Sequence, residues 1–287
     1  MATVSGGRRV DLLGRGATWV HEVEGPPGAP VLLLLHGLAA TALLNWSTSF
    51  VALARGFRVV ALDHRGHGRG IRRIGAFKLE DCADDAAALA DRLGVERVIP
   101  VGYSMGGAVA QLFWRRHPDR TAGLVLCATG SSFGGPRAKR AASALGPLLS
   151  LAARVAPQSV WNDMGERMLE NVQDPGRRLA LKEELATTEP ASVIEAAAAL
   201  ARFDSSPWLG EVDVPAAVVQ TEQDGHIPPR YQALMADAIP GAEVHRVDAD
   251  HYACVARPDV FVPTLFRACR SIALRGAPVR AAPAAAS

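Results

Sequence analysis

A pentapeptide in the first half of the chain constrains its fold more than any other feature. Residues 102–106 read Gly-Tyr-Ser-Met-Gly, a G-x-S-x-G pattern centred on Ser104. The apolar run Val98–Val101 precedes it, and a helical pattern, Gly107–Arg116, follows it. A strand that turns sharply into a helix pushes the central hydroxyl out of the sheet, where the helix N-terminus favours developing negative charge. The pattern therefore predicts a strand–turn–helix unit with Ser104 as a nucleophile.

Short apolar runs recur along the chain and alternate with amphipathic stretches. Besides Val98–Val101, the candidate strands are Val31–Leu35, Arg58–Leu62, Gly123–Cys127, Ala216–Gln220 and Glu243–Val247. Such alternation is typical of an α/β fold, a mostly parallel, twisted sheet with helices on both faces. Two earlier segments, near Val10 and at Thr18–Val23, are expected to form an antiparallel edge hairpin.

One long segment breaks this alternation. Residues 131–207 contain helical patterns, several Pro and Gly, and no convincing strand. A chain of 287 residues is long enough for one large core with an insertion. We therefore expect an α/β core from residues 1–130 and 208–276, with 131–207 as a helical cap, although an ordinary pair of covering helices would give the same pattern. The Ala- and Pro-rich tail, 277–287, is expected to be disordered.

Charge, cysteine spacing and hydropathy narrow the classes of partner. The chain has 31 Lys and Arg against 29 Asp and Glu, a net charge of only +2. This charge does not favour binding to nucleic acid. Four widely spaced cysteines without a CxxC pair are expected to be reduced, buried thiols. Residues 1–13 lack a signal-peptide pattern, and no apolar run reaches the roughly 18 residues of a membrane span. We expect a cytoplasmic protein with a small-molecule substrate and no stable membrane insertion; its oligomeric state is left open.

A serine hydroxyl is a weak nucleophile unless a base lies within hydrogen-bond reach and a third group orients that base. His251 follows the last predicted strand after a short loop, which makes it the candidate base. Asp224 lies in the loop after the preceding strand and is the candidate acid. The chain order Ser104, Asp224, His251 is the order of α/β-hydrolases.

A stabilising site for the oxyanion is expected after the strand Val31–Leu35, where the chain reads His36-Gly37-Leu38. A tetrahedral intermediate needs two hydrogen-bond donors, and the backbone N–H groups of Leu38 and Met105 have the expected positions. We expect His36 to order this loop and not to transfer protons.

Taken together, these motifs resemble the α/β-hydrolase superfamily, in the Ser-nucleophile branch with a helical cap. The resemblance covers roughly Arg8–Leu274 and rests on His36-Gly37, the turn from Asp63 to Gly68, the elbow at Ser104, the acid loop ending at Pro228, and His251. It implies an esterase- or lipase-like hydrolase that cleaves a carboxylic ester or related acyl bond of a small, largely apolar substrate through an acyl-enzyme. It implies no cofactor.

The sequence departs from this family at one informative position. Many relatives carry Gly before the catalytic His, whereas this chain has Asp250, so a second carboxylate competes with Asp224 to orient His251. The branch with an Asp nucleophile, which opens epoxides or removes halide, is disfavoured because the elbow carries Ser104.

Other residues are candidates for a pocket or a metal site. Trp46, Trp161 and Met164 are possible substrate-pocket residues, although core packing is the favoured role of each one taken singly. His64 and His67 have a spacing that mimics metal ligands, but the glycine-rich turn around them explains both, and no metal is expected.

The same triad could serve other functions. C–C bond hydrolysis beside a carbonyl is disfavoured because residues 37–41 lack the G-x-G-P-G-type loop of relatives with that activity. Acyl transfer to an alcohol and perhydrolysis would use identical residues. A small-molecule receptor with a hydrolase fold is the alternative from outside enzymology, because fold alone does not determine function.

Overall fold

The computed structural model describes residues 6–72, 76–135, 169 and 175–276. Within them, one eight-stranded sheet has the order β1-β2-β4-β3-β5-β6-β7-β8. Its strands are β1 (Arg8–Leu12), β2 (Gly16–Val23), β3 (Val31–Leu35), β4 (Arg58–Leu62), β5 (Ile99–Tyr103), β6 (Leu124–Cys127), β7 (Ala216–Thr221) and β8 (Glu243–Val247). Strands β3 to β8 are parallel, whereas β1 pairs antiparallel with β2, and β2 with β4. The predicted α/β sheet and edge hairpin are confirmed.

Helices connect most of the parallel strands. In the described part of the chain they are α1 (Ala42–Trp46), α2 (Phe50–Leu53), α3 (Leu79–Arg92), α4 (Met105–Arg116), α5 (Pro175–Leu185), α6 (Pro190–Arg202), α7 (Pro229–Ala238), α8 (Ala253–Ala256) and α9 (Pro258–Gly276). No described helix combines the length and the apolar character that crossing a membrane requires.

Alternate residues of the central strands enter two separate apolar clusters. In β3, Leu33 and Leu35 pack into one cluster with α3, α4 and α7, while Leu32 and Leu34 pack into the other with α1, α2 and α9. Successive side chains of a strand point to opposite faces, so a strand that is buried on both faces must be apolar throughout. This explains why the sequence shows continuous apolar runs. The four cysteines are all buried thiols, as expected.

The described part of the segment between β6 and β7 packs against the loops at one edge of the sheet. In α5, Glu184 accepts a hydrogen bond of 3.2 Å from the hydroxyl of Thr41 and pairs with Arg69 at 3.3 Å. The hydroxyl of Thr188 accepts a hydrogen bond of 3.0 Å from the N–H of Gly68. Much of the predicted cap, 136–168 and 170–174, and the tail 277–287 lie outside the described residues.

Two glycines allow the turn between β5 and α4 to close. A Cβ added at Gly106 would collide with the backbone carbonyl of Leu35, and one added at Gly102 would collide with the carbonyl of Gly106. The obstacle is backbone in both cases, so no side-chain rotation could relieve it. Strand β3, strand β5 and helix α4 are therefore packed as closely as their backbones allow.

Gly106→Ala is expected to destabilise the fold by about 3 kcal/mol or more, the upper end of overpacking costs, because backbone must move to admit the methyl group. Urea unfolding measures the change. Gly210→Ala is the matched control, since the nearest atom to its added Cβ is the carbonyl oxygen of Ala238 at 4.0 Å. Equal stability of the two variants would contradict this account of the turn.

Candidate active site

The candidate site residues lie at one edge of the sheet because each follows the carboxyl end of a parallel strand. Leu38 follows β3, Ser104 follows β5, Asp224 follows β7 and His251 follows β8. The carboxyl ends of parallel strands share one edge, which is where open α/β sheets form their sites. Residues far apart in sequence are therefore brought together.

Ser104 occupies the turn between β5 and α4 in a strained conformation. Its φ of 54° and ψ of −115° lie outside the regions that residues with a side chain favour. Hydrogen bonds on both sides maintain it: the N–H of Ser104 donates to the carbonyl of Cys127 at 2.9 Å, and the Thr129 hydroxyl donates to the carbonyl of Ser104 at 2.8 Å. This backbone conformation directs the Ser104 hydroxyl away from the sheet and towards two cavities.

His251 lies between Ser104 and Asp224. Its Nε2 is 3.0 Å from the Ser104 hydroxyl oxygen, and its Nδ1 is 2.7 Å from the Asp224 carboxylate. An ionised carboxylate can only accept, so Nδ1 carries the proton and Nε2 presents a lone pair to the serine. The hydroxyl of Tyr103 also donates to the backbone carbonyl of His251 at 2.8 Å and fixes the loop. This arrangement can remove a proton from Ser104.

The side chain of Asp224 is fully buried and surrounded by donors other than His251. They are the hydroxyl of Thr221 (2.8 Å), the backbone N–H groups of His226 (2.9 Å) and Ile227 (2.8 Å), and the side-chain amide of Gln232 (3.3 Å). Burial alone would raise the pKa of Asp224, but its hydrogen bond to His251, the charge of that ring and the Ile227 N–H together lower the pKa below its ordinary value. Asp224 is therefore ionised at neutral pH.

The competing carboxylate beside His251 has a different partner. Asp250 accepts a hydrogen bond of 2.8 Å from the backbone N–H of Tyr252, and so closes a local turn. Asp224, on the adjacent loop, is the carboxylate that meets Nδ1 of His251, at 2.7 Å. The carboxylate hydrogen-bonded to the His251 ring in this structure is therefore that of Asp224.

The loop after β3 lies directly beside Ser104. A Cβ built on Gly37 would be 3.4 Å from the Cβ of Ser104. The N–H of Gly37 donates to the side-chain oxygen of Asn45 at 2.8 Å, which fixes the loop that carries Leu38. Met105 is the first residue of α4, so its N–H has no partner within the helix. Leu38, on this loop, and Met105, directly after Ser104, therefore remain the candidate donors of an oxyanion hole.

His36 orders this loop from a completely buried position. Its Nε2 accepts a hydrogen bond of 2.9 Å from the N–H of His64, so its Nδ1 carries the proton and donates to the Gly37 carbonyl at 2.8 Å. Burial, reinforced by the nearby rings of His64 and His67, holds the pKa of His36 well below its ordinary value. A neutral ring with both nitrogens engaged cannot act as a base here.

His226 was not among the residues chosen from sequence, yet its ring stacks on that of His251. The ring centroids are 4.8 Å apart with an interplanar angle of 29°, and the His226 Nε2 is 3.3 Å from the hydroxyl of Tyr252. Its place two residues after Asp224 was the only signal in the sequence. The His226 ring forms part of the wall around His251.

Asp224, His226 and His251 also form a group whose potential metal-ligand atoms lie within 4.8 Å of one another. However, the Asp224 carboxylate already accepts a hydrogen bond from Nδ1 of His251. A cation at this position would displace that hydrogen bond and separate the Asp224 carboxylate from the ring. The geometry of Asp224 and His251 thus suits a hydrogen bond between them better than metal binding.

Ser104 opens onto two cavities of very different size. The smaller has a volume of about 50 Å³, and its walls include Gly37, Leu44, Asn45, Tyr103, Cys254 and Val255. The larger has a volume of about 1000 Å³, and its walls include Phe133, Val193, Leu200, His226, Ile227 and Tyr231. Both share Leu38, Ser104, His251 and Tyr252.

Of the three possible pocket residues, Trp46 has its favoured role of core packing and does not line the pocket. It is fully buried in the core and packs edge-on against Tyr103, with 6.0 Å between the ring centroids. Its neighbours on α1, Leu44 and Asn45, line the small cavity, and Trp46 is not among the described lining residues. Trp46 supports the pocket from behind because neighbouring residues of a helix point in different directions. Trp161 and Met164 lie outside the described residues.

Comparison with known proteins gives concordant matches. A family model described as the alpha/beta hydrolase fold matches residues 30–258. An epoxide hydrolase B of Mycobacterium tuberculosis is 37% identical over 120 residues, which are 40% of this chain and 33% of that protein. A bifunctional esterase/perhydrolase of Acinetobacter calcoaceticus is 38% identical over 96 residues, 33% of this chain and 34% of that protein. The chain thus matches about a third of the length of these curated relatives.

A solved structure matches nearly the whole chain. The thermophilic esterase from Thermogutta terrifontis superposes with a TM-score of 0.77 and 27% sequence identity, covering 93% of this chain and 99% of that one. The similarity therefore extends beyond the sheet to the order of the surrounding elements.

The buried histidines behind the oxyanion loop predict a steep loss of stability in mild acid. Burial lowers the pKa of His64 to about 3 and that of His67 to about 4, whereas burial raises the pKa of Asp63 to about 6. Below about pH 6.5 these histidines bind protons in the unfolded chain but stay neutral in the folded chain. The free energy of unfolding therefore falls as the pH falls. Asp63 acts in the opposite direction below its raised pKa, but this one carboxyl offsets only one of the three buried histidines, His36, His64 and His67.

The free energy of unfolding is therefore expected to fall between pH 6.5 and 5. Each buried histidine contributes a slope of about 1.4 kcal/mol per pH unit. His67→Gln should remove one such contribution, whatever its effect on absolute stability. Urea unfolding at a series of pH values measures the slope. An unchanged slope in the variant would show that His67 is not held neutral by the fold.

Proposed function

The chain belongs to the α/β-hydrolase fold family, and from that premise we propose that it is a serine hydrolase of carboxylic esters or related acyl bonds. In this proposal Ser104 is the nucleophile, His251 the base and Asp224 the orienting acid. The observation that carries the proposal is the unbroken hydrogen-bond chain from the Ser104 hydroxyl through both ring nitrogens of His251 to Asp224, with distances of 3.0 and 2.7 Å.

Acylation begins when Nε2 of His251 takes the Ser104 proton while the serine oxygen attacks the carbonyl carbon of the substrate. The N–H groups of Leu38 and Met105 bind the resulting oxyanion. The imidazolium, stabilised by ionised Asp224, then gives its proton to the leaving alcohol as the bond from carbon to alcohol oxygen breaks. An acyl group remains on Ser104.

Deacylation repeats these steps with water. His251 takes a proton from a water molecule, whose oxygen attacks the acyl carbon, and the same two N–H groups bind the second oxyanion. Collapse breaks the bond to Ser104, whose oxygen recovers the proton from His251. The products are a carboxylic acid and an alcohol, and no cofactor takes part in the proposed reaction.

The epoxide hydrolase relative does not point to the same reaction here. A carboxylate that opens an epoxide forms an ester, which water can then cleave. The Ser104 hydroxyl would instead form an ether, which the same base and oxyanion hole could not hydrolyse. The esterase relatives fit a serine nucleophile, which supports an acyl substrate.

We further infer that residues 131–207 act as a cap over the site. Leu169 contributes to the wall of the small cavity, and Val193 and Leu200 of α6 contribute to the wall of the large one. These apolar side chains favour a small, largely apolar substrate. A receptor built on the same fold would bind such a molecule without sustained product release, so turnover distinguishes the two functions.

Ser104→Ala is expected to lower kcat for p-nitrophenyl acetate by at least about a thousandfold, because loss of a triad nucleophile elsewhere costs on the order of a million-fold. Ser132→Ala removes another serine hydroxyl from the wall of the large cavity and is the matched control. It should retain activity within about threefold. Comparable activity in the two folded variants would refute Ser104 as the nucleophile.

The two carboxylates near His251 make a second comparison possible. Asp224→Asn should lower kcat by about three to four orders of magnitude, because an amide at this position no longer fixes the reactive tautomer. Asp250→Asn should lower kcat by less than about tenfold, since Asp250 contacts a backbone N–H and not the ring. Steady-state kinetics on both purified proteins give the ranking. The reverse ranking would move the acid to Asp250.

A further inference from the structure

The unequal cavities on the two sides of Ser104 bear on which ester the protein cleaves. The small cavity, about 50 Å³, is a pocket between the oxyanion loop and the loop after His251. The large cavity, about 1000 Å³, is at the upper end of the range for small-molecule sites. An ester bound at Ser104 has two substituents to accommodate, the acyl chain and the alcohol.

The order of chemical events assigns one substituent to each cavity. The alcohol must leave and water must enter while the acyl group is still bonded to Ser104. Only the large cavity has room for this exchange beside His251, which both protonates the alcohol and activates the water. The small cavity is left for the acyl chain, which stays in place through both half-reactions.

The walls of the small cavity are mostly apolar, and hydrogen bonds connect them to one another. Leu44 and Val255 contribute alkyl groups. The side chain of Asn45 accepts from the Gly37 N–H and donates to the Cys254 sulfur at 3.1 Å, so it joins the oxyanion loop to the segment after His251. Moving the oxyanion loop and the segment after His251 apart would break these two hydrogen bonds. The size of the small cavity is therefore a property of the fold, and the acyl chain must fit it.

From this we propose that the substrates are esters of a short, unbranched acyl chain with a bulky, largely apolar alcohol. A cavity of about 50 Å³ admits a chain of about two to four carbon atoms, judged by the roughly 10–15 Å³ that one water molecule needs on the same measure. The large cavity takes an alcohol with one or more rings against Phe133, Val193 and Leu200. This inference rests on the proposed ester hydrolysis and narrows it.

A series of p-nitrophenyl esters from acetate to octanoate tests the acyl assignment, because only the acyl chain varies. In an open apolar site each added methylene would raise kcat/KM about threefold to fourfold. The bounded cavity predicts a maximum of kcat/KM at two to four carbons and a fall of at least about tenfold by hexanoate.

A pair of esters, ethyl acetate and 2-cyclohexylethyl acetate, tests the alcohol assignment, because only the alcohol varies. The bulky ester should have the higher kcat/KM by about tenfold or more.

Val255→Ala enlarges the small cavity and should move the maximum to longer chains by about two carbons, with hexanoate gaining at least about fivefold relative to acetate. Val193→Ala, the matched change in the large cavity, should leave the acyl-length profile unaltered. If Val255→Ala fails to fold, Leu44→Val tests the same wall, with the same direction of shift.

The outcomes separate this inference from the proposed function. If none of the esters is hydrolysed, ester hydrolysis itself is wrong. If the esters are hydrolysed but kcat/KM climbs steadily to octanoate, or if Val255→Ala and Val193→Ala give the same profile, the assignment of the acyl chain to the small cavity is overturned while ester hydrolysis stands. A preference for ethyl acetate would overturn the assignment of the alcohol to the large cavity.

Discussion

The hydrogen bond between Asp224 and His251 is the interaction on which the rest of the site depends. An ionised carboxylate is costly to bury unless hydrogen-bond donors surround it. Besides the ring of His251, Asp224 accepts hydrogen bonds from a hydroxyl, two backbone N–H groups and a side-chain amide. These donors hold the negative charge next to Nδ1, which fixes the tautomer of His251. The lone pair on Nε2 then faces Ser104. Without the buried charge, the ring could present a proton in place of a lone pair.

The fold contributes geometry that the side chains alone could not provide. Ser104 has an unfavourable backbone conformation that persists because β5, α4 and β6 hold it from three directions. Gly106 lets helix α4 approach the end of β3, and this approach brings the Gly37 loop against Ser104. Close backbone packing, local strain and the candidate oxyanion hole are thus consequences of one turn. Neutral His36 secures the far side of the same loop.

Much of this arrangement was predictable because it depends on local signals. Apolar runs identified most of the parallel strands, the glycines around Ser104 identified the turn, and loops after strands indicated Asp224 and His251. Features that depend on side-chain direction or on enclosed volume were not predictable. Trp46 faces the core while its neighbour Leu44 faces the cavity, and the stacking of His226 on His251 joins loops that are 25 positions apart in the chain. The proposed cap remains a prediction, since much of it lies outside the described residues.

The central claim is that the triad forms a covalent acyl-enzyme at Ser104. Acid quench during the first turnovers of p-nitrophenyl acetate, followed by peptide mass mapping, tests it most directly. The account predicts a mass gain of one acetyl group on the peptide that contains Ser104, with p-nitrophenol released ahead of acetate in the same interval. An acetyl group on a different residue, or release of p-nitrophenol and acetate in step with no peptide acetylated at any quench time, would contradict it.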